Sequence, residues 1–219
     1  MQDFRQHFSL KRKSFQRHAM TTTFPHLLQR HASERPDAMA LREKEYGIWQ
    51  TWTWRQAQET VKHMACGLLA LGLTRGQNLA FISDNRPHVY LGFLAMQALG
   101  AMPIPLYQDA VAAEMRFVME DAEIAFAYAE NQEQVDKLLE VRETVPSIRH
   151  IIYDDPRGLR HYQQPGLIST AELLQKGQQW LQAHPGAWEQ MLSGIAPGDT
   201  SVILYTSGTT GKPKGVCQT

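Results

Sequence analysis

Asn78-Leu-Ala-Phe-Ile-Ser83, then Pro87-His-Val-Tyr-Leu-Gly-Phe-Leu-Ala-Met-Gln-Ala-Leu99 closed by Gly100, then Met102-Pro-Ile-Pro-Leu106: these three stretches decide the fold. The first is an apolar run of strand length, the second is helix-length and ends on a glycine, and the third is again a short strand. The rhythm continues with a helix over Ala112–Ala122, a strand at Ile124–Ala129, a helix over Gln132–Thr144 and a strand at Arg149–Asp154. Strands alternating with helices of about a dozen residues imply βαβ units, hence an α/β fold with a mostly parallel sheet flanked by helices on both faces.

Working outward towards the N-terminus, Thr23 is placed to cap a helix over Phe24–Arg35, with Pro25 in its first turn. Strands at Ala38–Arg42 and Ile48–Trp54, joined by a turn at Lys44–Gly47, read as a hairpin. Alternation puts Trp52 and Trp54 on one face and Trp49 on the other, a stripe better suited to packing against a helix than to a ligand platform. Thr53-Trp-Arg-Gln56 has the form of a capping box. The helix it opens carries Ala57, Val61, Met64, Ala65, Leu68 and Leu69 on one face and stops at Gly72.

Towards the C-terminus, Asp154–Gly166 breaks the rhythm with prolines and glycines among charges and reads as a loop. Asp154 and Asp155 are adjacent and point in opposite directions, so they read as a solvated strand end and not a metal site. Ser169 caps a helix to about Ala183, Trp188–Leu192 forms a short one, and Pro197-Gly198-Asp199 turns the chain. The chain then enters Ser201-Val-Ile-Leu-Tyr205, a buried strand, followed by Thr-Ser-Gly-Thr-Thr-Gly-Lys-Pro-Lys-Gly215. Glycines at 208, 211 and 215 let backbone N–H groups converge on one point as an anion-binding nest. Thr206, Ser207, Thr209 and Thr210 add hydroxyl donors, and Lys212 and Lys214 add positive charge. Such a loop behind a strand suits a polyphosphate. It is not a Walker A loop, because Pro213 follows Lys212 where serine or threonine would stand. With few apolar contacts to hold it, the segment after Tyr205 is expected to be poorly ordered.

Composition narrows the class. Apolar residues at 43% and charged residues at 20% are those of an ordinary globular domain, and a formal net charge of zero argues against a nucleic-acid partner. The apolar run Leu91–Leu106 is interrupted by Gln97, Gly100, Pro103 and Pro105 and is too short to cross a bilayer. Cys66 and Cys217 lie far apart without a Cys-x-x-Cys pattern and read as reduced thiols of a cytoplasmic protein. The nine histidines show no metal-ligand spacing, and no Gly-x-Ser-x-Gly elbow is present. Residues 1–20 carry Arg5, Lys11, Arg12, Lys13 and Arg17 against Asp3, with no apolar stretch behind them. They read as a disordered leader or as the product of an upstream start codon with Met20 the functional start, and not as a secretory signal; peripheral contact of this basic arm with anionic lipid is the alternative.

Tyr205-Thr-Ser-Gly-Thr-Thr-Gly-Lys-Pro-Lys-Gly215 resembles the signature loop of the adenylate-forming (AMP-binding) enzymes: acyl-CoA synthetases, luciferases and peptide-synthetase adenylation domains. Thr53-Trp-Arg-Gln-Ala57 resembles an early motif of that family, with Gln56 where glutamate is more usual, and Gln97-Ala-Leu-Gly-Ala-Met-Pro-Ile-Pro105 resembles a second. Tyr46-Gly-Ile-Trp-Gln-Thr-Trp-Thr-Trp54, Tyr107–Glu114 and Ala129–Leu139 look like bacterial long-chain acyl-CoA synthetases. The resemblance implies that residues 21–219 are the N-terminal part of an AMP-binding domain, cut just after the phosphate loop. It implies ATP, Mg²⁺, CoA and a fatty acid as the small molecules used, with Thr206, Ser207, Gly208, Thr209, Thr210, Gly211, Lys212, Lys214 and Gly215 on the ATP phosphates. Catalytic residues are expected beyond Thr219, so this stretch alone is expected to be inactive. A homodimer is left open, as are two other readings: a non-catalytic nucleotide-binding or assembly module, and an adenylation domain that loads a carrier protein.

Overall fold

A computed structural model describes residues 22–207 and 213–219; the leader at 1–20 lies outside them. In chain order the elements are α1 (Phe24–Glu34), β1 (Met39–Glu45), β2 (Ile48–Thr53), α2 (Trp54–Ala70), β3 (Asn78–Ile82), α3 (Pro87–Ala98) and β4 (Met102–Leu106). They continue with α4 (Ala112–Asp121), β5 (Phe126–Ala129), α5 (Gln132–Thr144), β6 (His150–Tyr153) and β7 (Leu167–Ser169). The last are α6 (Thr170–Ala183), α7 (Ala187–Ser193), β8 (Val202–Ser207) and β9 (Pro213–Gln218).

Five strands make one sheet in the order β4-β3-β5-β6-β7, every neighbouring pair parallel. Alternation of side chains divides the core in two. Leu79, Phe81, Phe126, Tyr128 and Ile152 face the layer formed with α1, α2, α3, α6 and α7. Ala80, Ile82, Ala127, Ala129 and Ile151 face the layer formed with α4 and α5. Both faces are covered, which is why these strands read as continuous apolar runs in the sequence. The tightest crossing is α2 on α6. A Cβ at Gly177 would stand 1.7 Å from the His63 carbonyl oxygen, and one at Gly67 2.3 Å from that of Leu173.

The strand at the open end of the sheet, β4, contains Pro103 and Pro105. Met102 N–H donates to the Gln77 carbonyl on the β3 side, so the alternate positions 103 and 105 face away from β3. Proline lacks the N–H that would otherwise project there, and the edge is thereby closed to further ladder pairing. β8 runs alongside β4 but pairs only with β9, as an antiparallel ribbon.

Several local expectations are corrected. The Thr23 side chain makes no backbone cap bond at α1; its Oγ1 pairs with His26 Nδ1 at 2.8 Å. Trp54 is not the last strand residue but the first of α2, because Thr53 is the N-cap of a complete capping box with Gln56. Trp54 still packs against a helix, its ring tilted against His31 of α1 with Arg35 over it. The loop over 154–166 leads into a strand, β7, that was not anticipated. Most consequentially, residues 213–218 are not loose: they form β9, in register with β8 from Ser207↔Pro213 to Val202↔Gln218.

Candidate functional site

The β8–β9 ribbon brings Leu204–Thr206 beside the segments that follow the carboxyl ends of β3 and β4. Three contacts hold it there. Gln97 Nε2, at the end of α3, donates to the Ser201 carbonyl at 2.9 Å. Tyr205 Oη donates to Asp121 Oδ2, at the end of α4, at 2.6 Å. Ile203 and Tyr205 pack their apolar parts on the α4–α5 layer. Burial together with the hydrogen bond and charge of Asp121 keeps the Tyr205 phenol protonated well above its usual range.

Alternation along β8 then decides what each face does. Tyr205 points back to α4, whereas Thr206 points the other way, with its cross-strand partner Lys214 on the same face. Thr206 and Lys214 are both exposed. Gly215 stands opposite Tyr205, and a Cβ there would come within 3.2 Å of the Tyr205 ring and 3.1 Å of Ile203 Cγ2. Room for the tyrosine is therefore one reason for glycine at 215, besides the close phosphate approach inferred from composition. Ser207 and Pro213 are the last pair of the ribbon. Gly208, Thr209, Thr210, Gly211 and Lys212 lie outside the described residues.

Beside the ribbon is an open cleft of about 570 Å³, lined by Leu204, Tyr205 and Thr206 with Ser83–Asn85 and Pro105–Asp109. The latter two segments follow the carboxyl ends of β3 and β4, where open α/β sheets bind ligands. Sequence reading missed these cleft residues; their position just after two strand ends was the signal that could have found them. Lys137 of α5 steadies one wall by donating to the Gln108 carbonyl at 2.8 Å. A smaller, mostly apolar pocket of about 130 Å³ lies under the start of β8, lined by Thr23, Pro25, Gln97, Ile195 and Ser201 among others. It presents no array of donors suited to phosphate.

A second polar cluster, also missed, occupies the carboxyl ends of β3, β5 and β6. The Arg86 guanidinium reaches Glu43 at 3.2 Å, Glu130 at 3.6 Å and Glu45 at 3.9 Å. Glu130 also accepts from Asp84 N–H at 2.7 Å and Ser83 Oγ at 3.1 Å. His88 Nδ1 lies 2.9 Å from Asp154 Oδ1. Burial disfavours charge on His88, but the hydrogen bond and charge of Asp154, aided by Glu43, outweigh it and raise its pKa above the ordinary value. Asp154 is thus a partnered, half-buried acid and not a solvated strand end. Asp155 does diverge from it, to Arg157, whose hydrogen bond lowers the Asp155 pKa. The Arg86 pairs tie β1 to the sheet, and the cluster carries no site logic of its own.

Among the described residues no group of three or more His, Cys, Asp or Glu is placed to hold a metal ion, and no helix is long and apolar enough to cross a membrane. Cys66 and Cys217 are free thiols; burial pushes Cys66 up to about 11 against a smaller pull from Lys62.

Comparison with known proteins gives this geometry a context. The family described as AMP-binding enzyme matches residues 28–219. The long-chain-fatty-acid–CoA ligase FadD15 of Mycobacterium bovis is 27% identical over 192 residues, which cover 86% of this chain and 29% of the ligase. The long-chain-fatty-acid–CoA ligase ACSBG2 of Xenopus laevis is 28% identical over 195 residues, 89% of this chain and 26% of that protein. The chain therefore spans less than a third of either relative. Among solved structures, the anthranilate CoA ligase AuaEII in complex with anthranoyl-AMP superposes with a TM-score of 0.72 at 20% identity, over 90% of this chain and 34% of its own.

Proposed function

Because the chain belongs to the AMP-binding enzyme family, we propose that it supplies the phosphate-gripping N-terminal portion of an ATP-dependent long-chain fatty-acid–CoA ligase. In the first step an oxygen of the fatty-acid carboxylate attacks the α-phosphorus of ATP, and the bond to the β-phosphate breaks to release pyrophosphate. In the second, the CoA thiol attacks the acyl carbonyl and AMP leaves. The observation that carries this reading is the Tyr205–Gly215 run, seated on a ribbon whose exposed Thr206 and Lys214 share the face beside the cleft.

The loop's part is electrostatic. Negative charge builds on the β- and γ-phosphates as pyrophosphate departs, and donors fixed in advance stabilise that charge without reorganising. Lys212 and Lys214 supply cations, Thr206, Ser207, Thr209 and Thr210 hydroxyls, and Gly208, Gly211 and Gly215 an unobstructed backbone. Mg²⁺ would arrive on the nucleotide and share the phosphate charge; among the described residues no group of three or more His, Cys, Asp or Glu forms a cage for it. The identity of the two relatives supports a long-chain acid.

The test is ATP–pyrophosphate exchange in the ligase that carries this chain, with palmitate, anthranilate and acetoacetate offered in turn. Exchange driven by palmitate and abolished by Gly211→Val is expected. Exchange driven by anthranilate and not palmitate would keep the adenylation and overturn the fatty acid. Exchange indifferent to Gly211→Val would remove the loop from the chemistry.

A further inference from the structure

We propose that the outward face of the β1–β2 hairpin is a docking surface for an anionic lipid bilayer. The proposal stands on the sorting of charge in that hairpin and does not depend on the reading of the phosphate loop.

Along β1, acids and bases alternate as Arg42-Glu43-Lys44-Glu45. The pleat sends them to opposite faces. Glu43 and Glu45 turn inward, where Arg86 pairs with both. Arg42 and Lys44 turn outward, and neither forms an ion pair among the described residues. The strand is neutral in composition and cationic on its free side. On β2, Trp49 is the cross-strand partner of Lys44 and Thr51 that of Arg42, so both share the cationic face. The Arg42 guanidinium lies 4.5 Å from the Trp49 ring centre, an arrangement that keeps a charge and an aromatic edge side by side at the surface.

The turn adds apolar matter at the tip. Tyr46 is 75% exposed and Trp49 55%, while Ile48, 66% exposed, stands across from Glu45 and so lies on the other face. Tyr46 and Gly47 take φ values of +46° and +82°, the signature of a two-residue turn with both central residues left-handed. Asparagine or glycine fits the first of these positions with less strain than tyrosine. Arg157 stacks on the Tyr46 ring and contacts its hydroxyl, holding the side chain out at the tip.

Tyrosine and tryptophan beside outward cations match the chemistry of a bilayer interface, where amphipathic rings sit at headgroup depth and cations meet anionic lipid. A second copy of the chain fits less well. A two-fold pairing of this face would bring Arg42 and Lys44 against their own images, like charge to like.

The experiment is co-sedimentation of the chain with vesicles of phosphatidylcholine alone and of phosphatidylcholine and phosphatidylserine at roughly three to one. Salt-sensitive partitioning to the anionic vesicles only is expected. Arg42→Glu with Lys44→Glu should lower it by at least about 30-fold, from about fivefold per cation lost near the surface. Trp49→Ala should lower it with both cations intact, and thermal melts of all variants should match the parent, since these side chains are exposed. Partitioning that survives the charge reversal would place lipid binding in the basic 1–20 segment, unchanged in every variant, and would overturn the proposal. So would equal binding to neutral vesicles, or a concentration-dependent dimer in solution that the same variants abolish.

Discussion

The two hairpins, β1–β2 and β8–β9, have the same form and opposite logic. Both are antiparallel ribbons standing outside the five-stranded parallel sheet. In β1–β2 the polar anchors lie along β1, Glu43 and Glu45 on Arg86, and a two-residue turn closes the ribbon. In β8–β9 the stem is anchored by a few contacts, Gln97 to Ser201 and Tyr205 to Asp121, and the polar groups are concentrated in the segment the stem carries. A ribbon bonded along its length is built to stay; one held at a few points can present a loop to a ligand. Damage to the inward Glu43 and Glu45 anchors of the first should therefore appear as lost stability, and damage to the second as lost chemistry.

That division is easiest to break at the loop. In the ligase, Lys212→Ala, Lys214→Ala and Gly211→Val are expected to slow acyl-adenylate formation by about 10²–10³, with kcat falling more than KM for ATP rises. Rapid-quench measurement at saturating ATP checks it, and near-parental rates in all three would refute the phosphate grip. The next effect belongs to the other ribbon. Arg86→Ala leaves Glu43 and the largely buried Glu130 without their cation and should cost about 3 kcal/mol in urea unfolding, with Arg86→Lys recovering only part because it loses the planar fork. A loss below about 0.5 kcal/mol would mean that the strand-long anchoring is ornamental.

Smaller still is Tyr205→Phe, which deletes one hydrogen bond near the loop-side end of β8 and should cost about 1 kcal/mol. If its stability cost exceeded that of Arg86→Ala, the contrast between the ribbons would be reversed. The finest test is pH. The folded protein holds His88 above its ordinary value, so the contribution of the His88–Asp154 pair is fully present below the unfolded histidine pKa and is lost as pH rises through the raised one. Thermal melts from about pH 5 to about pH 9 should show this decline, and His88→Gln should remove it.

Much of this was legible in the sequence because the signals were redundant. β4 and α5 occupy the residues expected of them, Met102–Leu106 and Gln132–Thr144. The Thr53 capping box and the Ser169 cap both form, the latter as a full capping box with Glu172, since side chain and spacing declare a cap before any tertiary contact exists. The misses have equally physical causes. β7 is three residues long, too short for periodicity to show, and exists only because β6 offers it an edge. β9 was hidden by its composition: Pro213-Lys-Gly215 argues against a strand, and only pairing with β8 makes it one. The Arg86 cluster could not be read at all, because Glu43, Arg86 and Glu130 are brought together by the fold from distant parts of the chain. Of the candidate site, residue types and the strand beneath them were visible, whereas the cleft walls at Ser83–Asn85 and Tyr107–Asp109 needed the sheet to be assembled first.

The prolines of β4 bear on how the β8–β9 ribbon can move. At 103 and 105 the strand offers its neighbour no N–H, and no ladder joins β4 to β8. The ribbon beneath the loop is thus seated on the sheet as a door is on its frame, fastened by the Gln97 and Tyr205 latches and not grown from the same timber. It can tilt without rupturing a single rung of the parallel sheet. Backbone amides of β8 and β9 should accordingly exchange with solvent deuterium as one group, on a clock of their own, while those of β3 and β5 keep the slower time of the whole fold.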